Sequence, residues 1–67
     1  MKPIPPDKVP AELAALRRRK GWTVAETAAA MGIEGEHASD TIRKIERGAK
    51  PASGTFRLLL AHLIAGA

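Results

Sequence analysis

The chain has 67 residues, of which 11 are lysine or arginine and 7 are aspartate or glutamate, so its formal net charge is +4. A chain of this length forms one domain at most, and it buries only about 60% of the surface of its unfolded state, so docking onto a second copy would add stability. The absence of cysteine excludes disulfides, thiolate zinc sites and cysteine nucleophiles.

The first nine residues are predicted to form a flexible N-terminal arm. Prolines at positions 3, 5 and 6 favour extended backbone and oppose helix formation. Two alternatives are open for this arm. In some DNA-binding folds such an arm follows the nucleic acid, and Lys2 and Lys8 would allow that here; the alternative is a disordered tail.

The sequence contains no pattern typical of a targeting or membrane segment. The first ten residues have no long apolar run, so they do not resemble a signal peptide. The apolar run at residues 58–61 is far too short to span a membrane. We therefore expect a soluble, cytoplasmic protein with a single domain over residues 10–67.

The first helix is predicted to begin near Pro10, because proline suits a first helical turn. Leu13 and Leu16 lie on one face of this helix and should enter the core. Gly21 is expected to end it as a C-cap, and the basic residues of the last turn suit the negative end of the helix dipole.

The second helix is predicted to begin at Thr23. The segment Thr-Val-Ala-Glu has the capping-box pattern, in which Thr23 and Glu26 each accept a hydrogen bond from the other's backbone N–H. The helix is short and rich in alanine, which permits close approach of another helix, and Gly32 should end it. Trp22, just before the cap, is predicted to be a core anchor.

The third helix is predicted over Ala38–Arg47, with Gly48 ending it. At 100° per residue one stripe faces inward, formed by Ala38, Ile42 and Ile45. The opposite face carries Asp40, Arg43, Lys44 and Arg47, with Ser39 at its edge. A basic face projecting from a short helix is the geometry that enters a DNA major groove.

The fourth helix is predicted from around Ser53–Thr55 to about Ile64, ended by Gly66. One side of this helix is a core stripe that consists of Phe56, Leu59, Leu60 and Leu63. A helix that is apolar on two sides needs two partners, so we expect the second side to contact the same helix of another subunit. The residues predicted for this dimer interface are Leu58, Ala61, His62 and Ala65.

Basic residues are concentrated in two clusters. The first basic cluster is Arg17, Arg18, Arg19 and Lys20, and the second is Arg43, Lys44, Arg47 and Lys50. Clustered positive charge is typical of proteins that bind the phosphate backbone. The alternative is that both clusters are ordinary solvated helix faces.

These segments together resemble the phage-repressor type of helix-turn-helix domain, known as the Cro/repressor or Xre family. The resemblance extends from Leu13 to Leu63 and depends on three pieces: LRRRKGWT, the alanine-rich second helix ending in AAMG, and DTIRKIERGAKP followed by the LLLAHL helix. It implies an all-α fold, a compact lambda-repressor-like bundle of four to five helices, whose third helix contacts base edges in the major groove.

The resemblance also implies roles for individual residues. The base-contacting residues would be Ser39, Asp40, Arg43 and Lys44. The phosphate-contacting residues would be Thr23, at the start of the second helix, His37, Arg47 and Lys50. Arg17 and Glu46 would form a structural ion pair that joins the first helix to the third.

The chain departs from the family pattern at three places. Val24 stands where the family often has a glutamine that contacts phosphate, although a backbone N–H there could still bind one. The turn before the third helix is longer by roughly four residues, about one helical turn, so that helix could begin early, near Glu36. Asp40 is acidic, and it either accepts a hydrogen bond from cytosine N4 or caps the third helix.

The remaining polar residues do not form a catalytic or metal-binding pattern. His37 and His62 have no second histidine, cysteine or carboxylate pair at ligand spacing. Glu34 and Glu36, on a turn interrupted by glycine, are more simply explained as solvated. No serine or threonine has a base positioned beside it. We expect no enzyme activity, no cofactor, no metal and no small-molecule substrate.

The sequence therefore predicts a sequence-specific repressor of transcription that binds double-stranded DNA. It would act as a homodimer on an inverted-repeat operator, and autoregulation is expected. The alternative is a small helical protein–protein interaction module on the same fold, such as an antitoxin-like protein or a phage anti-defence partner, because a fold does not determine a function.

Overall fold

Four α-helices follow a short 3₁₀ helix in the computed structural model, which describes residues 1–66. The 3₁₀ helix covers Pro6–Lys8, and the α-helices are α1 (Val9–Lys20), α2 (Val24–Ala30), α3 (Ala38–Glu46) and α4 (Gly54–Ala65). No β-strand occurs in residues 1–66, so the prediction of an all-α fold is confirmed. None of these helices is long and apolar enough to cross a bilayer.

Side-chain caps begin two of the helices. Thr23 Oγ1 accepts a hydrogen bond from Glu26 N at 3.1 Å, and the Glu26 carboxylate accepts one from Thr23 N at 2.9 Å, so the predicted capping box is confirmed. Ser53 Oγ accepts from Phe56 N at 3.1 Å at the start of α4. These bonds satisfy N–H groups that have no partner inside the helix.

Left-handed glycines end α1 and reverse the chain after α3. Gly21 has a φ of 69° and donates its N–H to Arg18 O at 3.2 Å, and Gly48 has a φ of 77°. Ala49 then donates to Lys44 O at 2.9 Å. A side chain with a Cβ is strained in this region of backbone space, so glycine is required for these tight helix ends.

The core lies where α3 packs against α1 and α2, while α4 covers α1 from another side. Leu13, Ile42 and Leu60 are 0% exposed. The other buried members of this cluster are Val9, Leu16, Ala28, Met31, Ile45 and Phe56. Ala38, Leu59 and Leu63 are half-buried at its edge. The inward stripe predicted for the third helix is therefore confirmed.

The N-terminal segment differs from the flexible arm that was predicted over residues 1–9. Ile4 N donates to Arg57 O at 3.2 Å, and the Arg57 guanidinium donates back to Ile4 O at 3.3 Å. Val9 is buried and begins α1, one residue before the predicted start near Pro10. The reason is that extended backbone leaves N–H and C=O groups free to bond with α4, while Ile4 packs against the core.

Candidate nucleic-acid interface

Two opposite faces divide α3. Ile42 and Ile45 point into the core, whereas Asp40, Arg43 and Lys44 are exposed on the other side. Arg47, the C-cap residue directly after the helix, is exposed as well. The buried face holds the helix against α1 and α2, and the charged face is presented to solvent. The structure thus has the outward basic helix face that the sequence predicts.

An ion pair fastens the C-terminal end of α3 to α1. Arg17 Nε lies 3.1 Å from Glu46 Oε2 and 3.3 Å from Oε1, and a second guanidinium nitrogen lies 3.2 Å from Oε1. The side chains are 31% and 13% exposed, respectively, so solvent screens this pair less than an open surface pair. The predicted Arg17–Glu46 ion pair is confirmed, and it restricts how α3 can move relative to α1.

The same ion pair brings the last turns of α1 and α3 together. The rest of the first basic cluster (Arg18, Arg19 and Lys20) is exposed in the last turn of α1. Lys20 Nζ lies 5.9 Å from the centre of the Trp22 ring, within the range of a cation–π contact. Trp22 is half-buried and packs against the core, which agrees with its predicted role as an anchor. Positive charge from two helices therefore gathers at one end of the bundle.

Asp40 and Lys44 form an ion pair one helical turn apart on the outward face. Asp40 Oδ2 lies 3.0 Å from Lys44 Nζ. The hydrogen bond from Lys44 and its positive charge lower the pKa of Asp40 below its usual value. The N-cap position of α3 is occupied by His37, with no side-chain capping bond, so the alternative role of Asp40 as a helix cap is wrong. The spacing of four residues between Asp40 and Lys44 is the sequence pattern from which this ion pair could have been predicted.

The turn before α3 ends where the main prediction placed it. The helix begins at Ala38, and the early start near Glu36 does not occur. His37, directly before the helix, has a φ of −100° and a ψ of 9°, which lie outside the helical range, and Gly35 has a φ of 106°. Ser39 is half-buried in the first turn of α3, so it presents less of its side chain outward than Asp40 does.

The four residues predicted to contact phosphate are exposed at three places around α3. Thr23 is in the capping box of α2, and His37 lies just before α3 with its Nε2 3.4 Å from a Glu36 oxygen. Arg47 follows the last turn of α3, and Lys50 lies in the loop after it. His37 therefore precedes α3 and Arg47 and Lys50 follow it, whereas Thr23 lies at the start of α2.

The surface of α4 differs from the predicted dimer interface at one residue. Leu58 is 37% exposed, and His62 and Ala65 are exposed too. Ala61 is only 7% exposed, so its prediction as an interface residue is wrong. The side chain of Ala61 is a single methyl group, and the folded chain leaves almost none of it on the surface of α4. Leu58, His62 and Ala65 remain as candidates.

Two features near α4 were not anticipated from the sequence. Arg57 bonds to Ile4 across 53 positions of sequence. A groove of about 300 Å³ opens between α3 and α4, with Ile45, Phe56 and Lys50 among the residues along it. Neither feature has a local sequence pattern, because each depends on segments that meet only in the folded chain.

No group of three or more potential metal ligands occurs in residues 1–66. No protein-family model, curated protein or solved structure matches this chain. The features that bear on the function of this protein are therefore the geometry of α3 and the residues around it.

Proposed function

We propose that this protein is a sequence-specific double-stranded DNA-binding repressor of the phage-repressor helix-turn-helix type. It acts as a homodimer on an inverted repeat, with α3 of each subunit in a major groove. The observation that carries the proposal is the outward face of α3, which bears Asp40, Arg43 and Lys44 opposite the buried Ile42 and Ile45. This function implies a cytoplasmic location, because bacterial and phage DNA lies there.

The dimensions of α3 suit the major groove. Its nine residues give it a length of roughly 13–14 Å. The major groove, about 12 Å wide, admits an α-helix across its width. Binding to base edges requires that the helix keep one orientation. The Arg17–Glu46 ion pair and the burial of Ile42 and Ile45 supply that restraint.

The flanking residues suit contacts to the phosphate backbone. Arg47 and Lys50 follow α3, and His37 precedes it, so each is positioned to meet a phosphate when α3 lies in the groove. Such contacts fix register without specifying sequence. Base preference is then the task of Arg43 and Lys44, with Ser39 and Asp40 in the first turn.

Salt dependence tests the proposal. Duplexes selected by the protein from a randomised library should bind in preference to bulk DNA, and their affinity should fall steeply as salt rises, because bound phosphates release counterions. Fluorescence anisotropy at several salt concentrations measures both quantities. A protein that selects no duplex, or that binds every duplex equally, would not be a sequence-specific repressor.

Replacing Arg43 with alanine should weaken binding to the selected duplex by about 1–3 kcal/mol, because a base contact is lost. Binding to unrelated duplex should change little. Lys50→Ala is the matched comparison, since loss of a phosphate contact weakens both kinds of duplex similarly. Gel-shift titrations of the two variants against both duplexes measure the difference. An Arg43→Ala variant that binds the selected duplex like the wild type would contradict the assignment.

The dimer is proposed to form through the exposed side of α4. Leu58→Glu should convert the dimer into a monomer, because it places a charge at the proposed subunit contact. Sedimentation velocity measures the change. Ala15→Glu, at an exposed position of α1, adds the same charge elsewhere and should leave the dimer intact. Equal behaviour of the two variants would place the subunit contact away from Leu58.

A protein–protein interaction module is the second candidate. The apolar groove between α3 and α4 and the exposed Leu58 favour it, since such surfaces also suit a protein partner. It would show weak duplex binding without sequence preference in the salt experiment. That outcome would favour an antitoxin-like or anti-defence role on the same fold.

A further inference from the structure

The outward face of α3 carries a carboxylate in its first turn, ahead of the cations of its last turn. Asp40 is exposed there, and a negative charge facing DNA repels phosphate. Asp40 does not cap the helix. The other acidic residue of α3, Glu46, is engaged by Arg17. Within residues 1–66, Asp40 forms one ion pair, with Lys44, so the two side chains are presented to solvent together.

We propose that Asp40 and Lys44 act as one unit that binds a single G·C base pair. Lys44 donates to guanine, and Asp40 accepts a hydrogen bond from cytosine N4 of the same pair. This inference rests on the proposed DNA-binding function and adds the base pair that each half-site must contain.

The spacing of the two side chains matches the major-groove edge of G·C. That edge presents guanine N7 and O6 as acceptors and then cytosine N4 as a donor. O6 and N4 are themselves hydrogen-bonded, so they lie roughly 2.9 Å apart. Lys44 Nζ and Asp40 Oδ2 lie 3.0 Å apart. When the Asp40–Lys44 pair faces the base-pair edge, Lys44 Nζ lies opposite guanine O6 and Asp40 Oδ2 lies opposite cytosine N4. Each donor in this ring of four atoms then has an acceptor on either side.

The same arrangement disfavours the other base pairs. Lys44 has three N–H donors; one bonds Asp40, and two are left for guanine O6 and N7. A T·A pair also presents an acceptor beside a donor, but it has the thymine methyl group where guanine has N7. The reversed pairs, C·G and A·T, place an amino-group donor (cytosine N4 or adenine N6) opposite the ammonium group of Lys44. The Asp40 side chain is an ionised acceptor for N4 at neutral pH, because the pKa of aspartate is ordinarily about 4 and Lys44 lowers it further.

Site selection from a randomised duplex library tests the inference with Asp40→Ala, Lys44→Ala and the wild type. Wild-type sites should contain one position per half-site where G·C is preferred about tenfold, the effect of one good bidentate contact. Both variants should lose most of that preference at this same position and keep the others. Asp7→Ala is the control for Asp40→Ala. Asp7 is exposed in the 3₁₀ helix, and its loss changes the net charge by the same amount as the loss of Asp40.

Asp40→Asn adds a gain of function to the test. Asparagine pairs with adenine through N6 and N7, so this variant should shift the preference at that position from G·C towards a pair that contains adenine. Circular dichroism should show each variant folded like the wild type, because both side chains are exposed.

Three outcomes distinguish the failure of the G·C inference from the failure of the proposed repressor function. If the two alanine variants relax different positions, or relax none, the joint binding of one G·C pair is wrong while the repressor function stands. Loss of the preference in Asp7→Ala as well would also overturn it, because the effect would then follow net charge. If the wild type selects no sequence at all, the proposed function itself fails.

Discussion

The Ile42→Ala variant is expected to lose about 2–5 kcal/mol of unfolding free energy, the usual cost of truncating a large buried aliphatic side chain. Ile42 is 0% exposed and lies in α3 where the helix meets the core. A domain of 67 residues has a total stability of roughly 3–10 kcal/mol, so this loss removes much or all of it. The proposed DNA-binding face should be lost with the fold.

Urea unfolding followed by far-ultraviolet circular dichroism measures this loss. Arg43→Ala is the matched control, because it changes the next residue of the same helix on its exposed side and should alter stability by at most about 0.5 kcal/mol. The pair of variants separates folding from binding: one loses both, and the other loses only DNA affinity. An Ile42→Ala protein as stable as the wild type would show that α3 does not pack as described.

Removal of Glu46 is expected to have the second-largest effect on the folded state. Glu46→Ala should destabilise the protein by about 1–3 kcal/mol, because hydrogen bonds to a charged group are lost and Arg17 is left half-buried without its carboxylate. The variant should also bind the selected duplex more weakly, since the end of α3 is no longer held against α1.

A double-mutant cycle isolates the contribution of this ion pair. Unfolding free energies of Arg17→Ala, Glu46→Ala and the double variant should give a coupling energy of about 0.5–3 kcal/mol. The cycle Arg18→Ala with Glu46→Ala is the control, since Arg18 is exposed one residue further along α1, and its coupling should be near zero. Equal coupling in the two cycles would mean that the effect of Glu46 is general electrostatics.

Local signals in the sequence were sufficient to predict the helices. The capping box at Thr23 and the glycines at 21 and 48 involve atoms only a few residues apart, so their effect on backbone geometry does not depend on the rest of the fold. The inward position of Ile42 and Ile45 follows from helical periodicity. The Arg17–Glu46 pair spans 29 positions and was predicted only through the resemblance to a known family.

Which of the remaining residues are exposed and which are buried depends on the tertiary structure. Ala61 was assigned to the second apolar side of α4, but it is only 7% exposed in the folded chain. The proline-rich start was predicted as a free arm, but Ile4 bonds to Arg57. In both cases the outcome depends on which distant segment lies alongside.

The positions of the four helices to within one or two residues, the inward stripe of α3 and the charges on its outward face could be predicted from the sequence, because they follow from hydrogen bonds and periodicity within one helix. The docking of Ile4, the burial of Ala61 and the groove between α3 and α4 depend on the folded chain. These features arise from contacts between segments far apart in the chain, and no local pattern encodes which surfaces meet.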